Sequence, residues 1–144
     1  MCDKHEFFFE FDRAFNHQLI EKFEASPEHP LTADVAPRRN GVYALYRGGQ
    51  IVYAGKALAK TTLAGRLRDH HHRKIVGRKG ITISEVTCRF LIIDGDWFVR
   101  AAEDALIQNY QPAWQGSGFG RHVPGIGRPG KHPSRWETQY PLEE

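Results

Sequence analysis

Tyr43 and Tyr53 flank a Gly48-Gly49 pair, and Lys56 follows the second tyrosine by three positions. Arg66 and His70 are four apart, which on an α-helix gives them one face. Glu103 stands well downstream. A phenol, an imidazole, fixed cations and a carboxylate are what phosphodiester hydrolysis uses. Water must lose a proton, the pentavalent phosphorus needs nearby positive charge, and the leaving oxygen needs a metal or an acid. A phenol with a pKa near 10 is a poor base at neutral pH. Lys56 and Arg66 beside Tyr43 would favour its phenolate, because positive charge lowers an acidic pKa. Each residue alone has a plainer reading: a strand tyrosine packs, an Arg/His helix face is solvated, and a single helical Glu lies on the surface. The weight rests on order and spacing together.

Charge points the same way. The net charge of +3 conceals an uneven distribution. Residues 1–34 carry eight acids against three bases, while residues 56–79 carry eight Lys/Arg against Asp69 alone. Residues 115–136 add Arg121, Arg128, Lys131 and Arg135 with no acid. Two basic blocks suit a polyanion, since each cation set on a phosphate releases counterions. A solvated surface is the bland alternative.

The elements that must position these groups follow from patterning. At 144 residues with 40% hydrophobic content, the chain predicts one folded domain. No apolar run approaches the roughly 18 residues a bilayer span requires. The acidic N-terminus does not resemble a secretory signal, and Cys2 and Cys88 make no disulfide framework. The expectation is therefore a cytoplasmic protein without membrane contact. Residues 6–11 read as a short strand or a packing arm, and Phe15, Leu19, Ile20 and Phe23 predict a helix from about Arg13 to Glu24. After a proline-rich connector, Gly41–Tyr46 and Ile51–Ala54 around the glycine pair predict a β-hairpin. Thr61 or Thr62 caps a helix to about Ile75, and Val86–Ile93 is a third, central strand. Asp94-Gly95-Asp96 turns and caps a helix from Trp97 to Tyr110, which Pro112 ends. The sum is one α/β domain, 1–144, with a three-stranded, mainly antiparallel sheet flanked by helices. It divides into an N-terminal arm and helix (1–40), a core (41–115) and a Gly/Pro-rich basic tail (116–144).

Gly41-Val42-Tyr43, Tyr53-Ala54-Gly55-Lys56, Arg66-Leu67 with His70, and Glu103 with Leu106-Ile107 and Pro112 together resemble the GIY-YIG nuclease superfamily. Pro112-Ala113-Trp114, Gly118-Phe119-Gly120, His122, Gly127-Arg128 and Ser134-Arg135-Trp136 extend the likeness to its short type II restriction endonucleases that read CCGCGG. The resemblance implies a GIY-YIG fold and a metal-dependent DNA endonuclease leaving 5′-phosphate and 3′-hydroxyl ends. Tyr43 would be the general base or would position the attacking water. Lys56 and Arg66 would hold the scissile phosphate, and His70 would hydrogen-bond Tyr43 and relay its proton. Tyr53 would bond within the site, and Glu103 would bind one Mg²⁺ or Mn²⁺. Where the family pattern commonly has asparagine, this chain has Gln115, which keeps the amide with one more methylene. Arg68, Arg73, Arg121, His122 and Arg128 would contact DNA, the tail arginines at guanine edges. One centre per chain and a palindromic double-stranded target imply a homodimer, with a cognate methyltransferase as a further expected partner. The Phe-rich arm and the tail are the candidate dimer or groove-reading surfaces. The alternatives are a structure-specific, repair, mobile-element or toxin nuclease of the same superfamily, and a DNA-binding module without catalysis.

Two features invite other readings. His70-His71-His72 lacks a metal-ligand spacing, so His71 and His72 are expected on the surface or near phosphate. Gly125-Ile-Gly-Arg-Pro-Gly130 matches G-x-G-x-x-G formally, but no strand precedes it and a proline interrupts it. Cys88 is expected to be a buried structural thiol.

Overall fold

The computed structural model describes residues 5–58, 60–120 and 133–143. Helix α1 spans Phe11–Ala25, and the two-residue strand β1 is His29–Pro30. Strand β2 is Gly41–Arg47 and β3 is Gln50–Ala57. Helix α2 is built in three parts: an α turn Leu63–Gly65, a π-helical segment Arg66–His72 and a second α turn Arg73–Ile75. Strand β4 is Val86–Ile92, α3 is Asp96–Tyr110, and α4 is Arg135–Gln139. The sheet runs β1-β4-β2-β3 with every pairing antiparallel.

The hairpin forms because Gly48 and Gly49 take φ of 60° and 77°. That is the two-residue turn whose twist matches paired strands, and other residues adopt it at a cost. It sets Tyr43 opposite Gly55, Leu45 opposite Tyr53 and Val42 opposite Lys56. Opposite residues share a sheet face. Tyr43 and Tyr53 therefore lie on one face, whereas Lys56 lies on the other with Val42.

Helices α1 and α3 cover that second face, enclosing Leu19, Phe23, Val42, Ala44, Ala54, Val99, Ala102, Ala105 and Leu106. On the first face Tyr43, Leu45, Tyr53 and Cys88 meet Leu63, Leu67 and Ile75 of α2 and the tail aromatics Trp114, Phe119, Trp136 and Tyr140. A buried aliphatic or aromatic side chain contributes about 1.5–3 kcal/mol, so both clusters are substantial. Cys88 is a buried free thiol, and burial pushes its pKa up to about 12.

Several expectations are corrected. The sheet has four strands, not three, because His29 and Pro30 pair with Cys88 and Thr87. Residues 6–10 form no strand, and Phe7, Phe8 and Phe9 are exposed. Strand β3 reaches Ala57, so Lys56 lies within it. Gly95 precedes α3 with no side-chain cap, while Thr62 does cap α2 by accepting from Gly65 N at 3.1 Å. The tail also contributes more than loop. Trp114 N donates to Val52 O at 2.7 Å along the outer edge of β3, and α4 buries Trp136. Among the described residues no helix is long and apolar enough to cross a membrane.

Candidate active site

Gly55 is where the two phenols converge on β3. A Cβ there would overlap the Tyr43 hydroxyl and crowd the Tyr53 ring at 3.1 Å, so only glycine lets Tyr43 lie flat across β3. The backbone of Gly120 approaches the Tyr53 hydroxyl just as closely, leaving no room for a Cβ. Tyr43 is fully buried and Tyr53 nearly so, with ring centroids 6.3 Å apart.

The π-helical segment brings the next members in. Its bonds close from residue i to i+5, as when Arg73 N–H reaches Arg68 O. The wider turn carries the residue five after Arg66 onto the Arg66 side. That residue is His71, whose Nε2 is hydrogen-bonded to the Tyr43 hydroxyl. The expectation that His71 lies on the surface is thus overturned: it is fully buried between Tyr43, Tyr53 and a stacked Phe119 at 4.9 Å. His70 is half-buried beside it, ring centroids 6.5 Å apart. Nothing in the residue types marks a π turn; the triple histidine was the only available signal.

Arg66 lies near both phenols, and its charge acts on each of them. Burial opposes its charge, but Tyr43, Tyr53 and Glu103 outweigh burial and raise its pKa. Burial likewise raises Tyr43, with Arg66 pulling the other way and losing. This corrects the expected phenolate: Tyr43 is a neutral phenol, since desolvation exceeds the effect of the nearby cation. Burial, then Arg66, His70 and Lys74, hold the His71 pKa well below the usual imidazole value, so His71 is neutral too. With its one ring proton on Nδ1, the neutral His71 accepts the phenolic hydrogen at Nε2. Among the described residues, Arg66 Nε and His71 Nδ1 are buried without a hydrogen-bond partner.

Across the edge strand, Lys56 Nζ pairs with Glu103 Oε1 at 2.9 Å. Glu103 comes from α3 on the opposite sheet face, yet its charge acts on Tyr43, Tyr53 and Arg66. The site therefore straddles β3, with phenols, arginine and histidine on one side and lysine and carboxylate on the other. Five of the sequence-selected residues converge: Tyr43, Tyr53, Lys56, Arg66 and Glu103.

Gln115 is used differently. Its Oε1 accepts from Ala54 N at 3.1 Å and its Nε2 donates to Ala54 O at 3.0 Å. Its amide thus imitates a neighbouring strand along the free edge of β3. Arg68 is exposed and bound to Asp69 at 2.8 Å, and Arg73 is exposed. Arg121, His122, Arg128 and the Gly125–Gly130 segment lie outside the described residues.

Glu103 is a lone carboxylate. Among the described residues no group of three or more His, Cys, Asp or Glu is placed to hold a metal ion. That donor set fits a hard cation that keeps several waters and takes its other ligands from a phosphate, as Mg²⁺ does.

The family model of the Eco29kI GIY-YIG domain matches residues 53–142. No curated protein matches the sequence. Among solved structures, the GIY-YIG N-terminal endonuclease domain of UvrC from Thermotoga maritima, bound to its catalytic magnesium, is 22% identical with a TM-score of 0.43. The alignment covers 67% of this chain and 94% of that one. A tyrosine-to-phenylalanine point mutant of that domain gives 22% identity over the same shares and a TM-score of 0.44. Those likenesses are too distant to assign anything to this chain. The family match spans more than half of it, and the chain belongs to the Eco29kI GIY-YIG family as a small α/β GIY-YIG nuclease domain.

Proposed function

We propose that this GIY-YIG nuclease domain is a site-specific DNA endonuclease of the type II restriction kind, cutting both strands of a palindromic GC-rich site. The observation that carries the reading is the Tyr43–His71 hydrogen bond, set beside Arg66 and facing the Lys56–Glu103 pair across β3. It provides a proton acceptor, fixed cations and a carboxylate about one stretch of the edge strand, which is the set that in-line attack of water on a phosphodiester requires.

Arg66 would grip a non-bridging phosphate oxygen and offset charge that grows during attack. Tyr43, neutral in the free protein, would orient water through its oxygen. His71 would take the phenolic proton as the phenol takes one from water, so no free phenolate forms. His70 would stand at the mouth as a second imidazole. Tyr53 would share the Arg66 guanidinium, and Lys56 would hold the Glu103 carboxylate in place. Glu103 would hold a single Mg²⁺ or Mn²⁺, which when bound stabilises charge on the leaving 3′ oxygen. Products would carry 5′-phosphate and 3′-hydroxyl ends. The basic block of 56–79 and the tail residues Arg121, His122 and Arg128 would engage double-stranded DNA.

Incubation of the protein with plasmid and Mg²⁺, followed by sequencing of the ends, tests the reading. Discrete fragments ending at one palindrome are expected. Nicking without linear product would overturn the restriction role, and a Glu103→Gln variant that cuts at the parent rate would overturn the site.

A further inference from the structure

Not every cation of the 56–79 block is turned outward for phosphate. Lys74 is half-buried, and its Nζ donates to Phe119 O at 2.6 Å and to Gly118 O at 3.2 Å. The same ammonium lies 5.4 Å from the Phe119 ring centroid and 5.5 Å from that of Trp136. Two carbonyls and two ring faces thus stand where water would be. Burial lowers the Lys74 pKa, so the charge is held there against a desolvation cost.

What Lys74 holds bears on the site. Phe119 stacks on His71 with centroids 4.9 Å and planes 19° apart. His71 is hydrogen-bonded at Nε2, but its Nδ1 is buried without a partner among the described residues. A working imidazole is ordinarily aimed by a carboxylate or carbonyl on its second nitrogen. Without that bond, the plane of His71 is set by the rings around it. Tyr43 and Tyr53 stand 5.1 and 5.3 Å away on the sheet side, and Phe119 closes the stack from the tail. Gly120, whose backbone abuts the Tyr53 hydroxyl, follows directly. The titratable and charged groups that face His71 are Tyr43, Tyr53, Arg66, His70 and Lys74; of these, Lys74 also holds Phe119.

We infer that Lys74 is a positioning residue: by clamping the carbonyls of Gly118 and Phe119 it holds the Phe119 ring against His71 and keeps the imidazole aimed at Tyr43. The inference rests on the nuclease reading for its effect on turnover, and not for its effect on His71.

Lys74→Met, Lys74→Arg, Phe119→Leu and the double variant of Lys74→Met with Phe119→Leu test this by two measurements. The first is initial rates on supercoiled plasmid with Mg²⁺. Lys74→Met keeps the aliphatic stem and should lower kcat about tenfold or more at unchanged KM, since a misplacement of about 1 Å can cost about 10²-fold. Lys74→Arg should recover most of the rate. Phe119→Leu should lose a similar factor, and the double variant no more than the worse single, because both act through one ring. A raised KM at unchanged kcat would make Lys74 a DNA contact, and losses that multiply in the double variant would make its charge act directly. Either result overturns the clamp.

The second measurement is the NMR signal of the His71 imidazole in the free protein near pH 6.5, about the ordinary imidazole pKa. It should be neutral, with hydrogen on Nδ1, in the parent and in Lys74→Arg. It should be partly protonated in Lys74→Met and in Phe119→Leu, the latter with the Lys74 charge still present. Should Lys74→Met fail to fold by far-UV circular dichroism, Phe119→Leu carries the same readout. A parent-like His71 in the folded variants overturns the clamp even where plasmid is cut. If the parent cuts nothing while His71 responds as stated, the clamp stands and the nuclease reading falls.

Discussion

The two faces of the sheet are built on opposite principles. Beneath α1 and α3 every buried residue is apolar, from Leu19 and Phe23 to Ala105 and Leu106. Beneath α2 and the tail the cluster buries an imidazole and three phenols, and Arg66 Nε, His71 Nδ1 and Trp136 Nε1 have no hydrogen-bond partner among the described residues. Unpaired buried polar atoms each cost about 1–3 kcal/mol, so a face selected only for stability does not collect them. The apolar face supplies the stability that the polar face draws on, and a thin edge strand divides them. At Gly55 that strand becomes thin enough for groups from both sides to work together.

This division predicts that stability and turnover separate by face, with the largest effect at Tyr43. Tyr43→Phe should slow cleavage by about 10²–10⁴-fold, the range expected for a lost proton-transfer group. It also strips His71 Nε2 of its partner, at a stability cost of about 1–3 kcal/mol, which urea denaturation would measure. A variant that cuts within threefold of the parent would show that the phenol only packs.

Phe23→Ala, on the other face, should do the reverse. The residue is fully buried under α3 against Tyr110, and truncation of such a ring costs about 3–5 kcal/mol. Turnover per folded molecule, corrected by active-site titration, should be unchanged. A collapse of turnover at full folding would mean that α3 transmits packing directly to Glu103, and the division between faces would fail.

The polar face should also carry the pH sensitivity. His71 has a folded pKa well below the unfolded imidazole value of about 6.5. Between those two values the unfolded chain binds a proton that the folded chain does not. Stability is therefore full above about pH 6.5 and declines as pH falls, by up to roughly 1.4 kcal/mol per unit for this one group. Thermal melts of the parent and of His71→Gln at pH 7.5 and pH 5.5 should show a shallower loss in the variant. Equal losses would assign the acid sensitivity elsewhere.

How much of this was readable beforehand follows the same boundary. The hairpin was legible because Gly48-Gly49 and two strand-forming runs are local signals, and α3 was legible from its helical apolar spacing and Pro112. Order singled out Tyr43, Tyr53, Arg66, Lys56 and Glu103, which the fold brings near one another. Three things were not legible. The π turn depends on which carbonyl each amide bonds, and Arg66 to His72 has no composition that marks it. Strand β1 exists through pairing with β4, far along the chain, so His29-Pro30 reads as loop. The neutrality of Tyr43 depends on burial beneath α2 and the tail, which a list of nearby charges does not contain.

Gln115 gives the smallest and most discriminating prediction. Its amide bonds both the N–H and the C=O of Ala54, one residue before Gly55, and so steadies the strand that divides the two faces. Gln115→Asn would match the family pattern, yet it shortens the side chain by a methylene and cannot reach both backbone groups from the same position. If Gln115 acts through the strand, the variant should lose about 1 kcal/mol. The Ala54 amide should then exchange faster, and cleavage should fall only a few-fold. If the amide acts on substrate instead, Gln115→Asn should hold or raise the rate while Ala54 exchange stays unchanged. Hydrogen exchange at that one amide, read beside the cleavage rate, decides whether the residue belongs to the chemistry or to the edge strand that frames it.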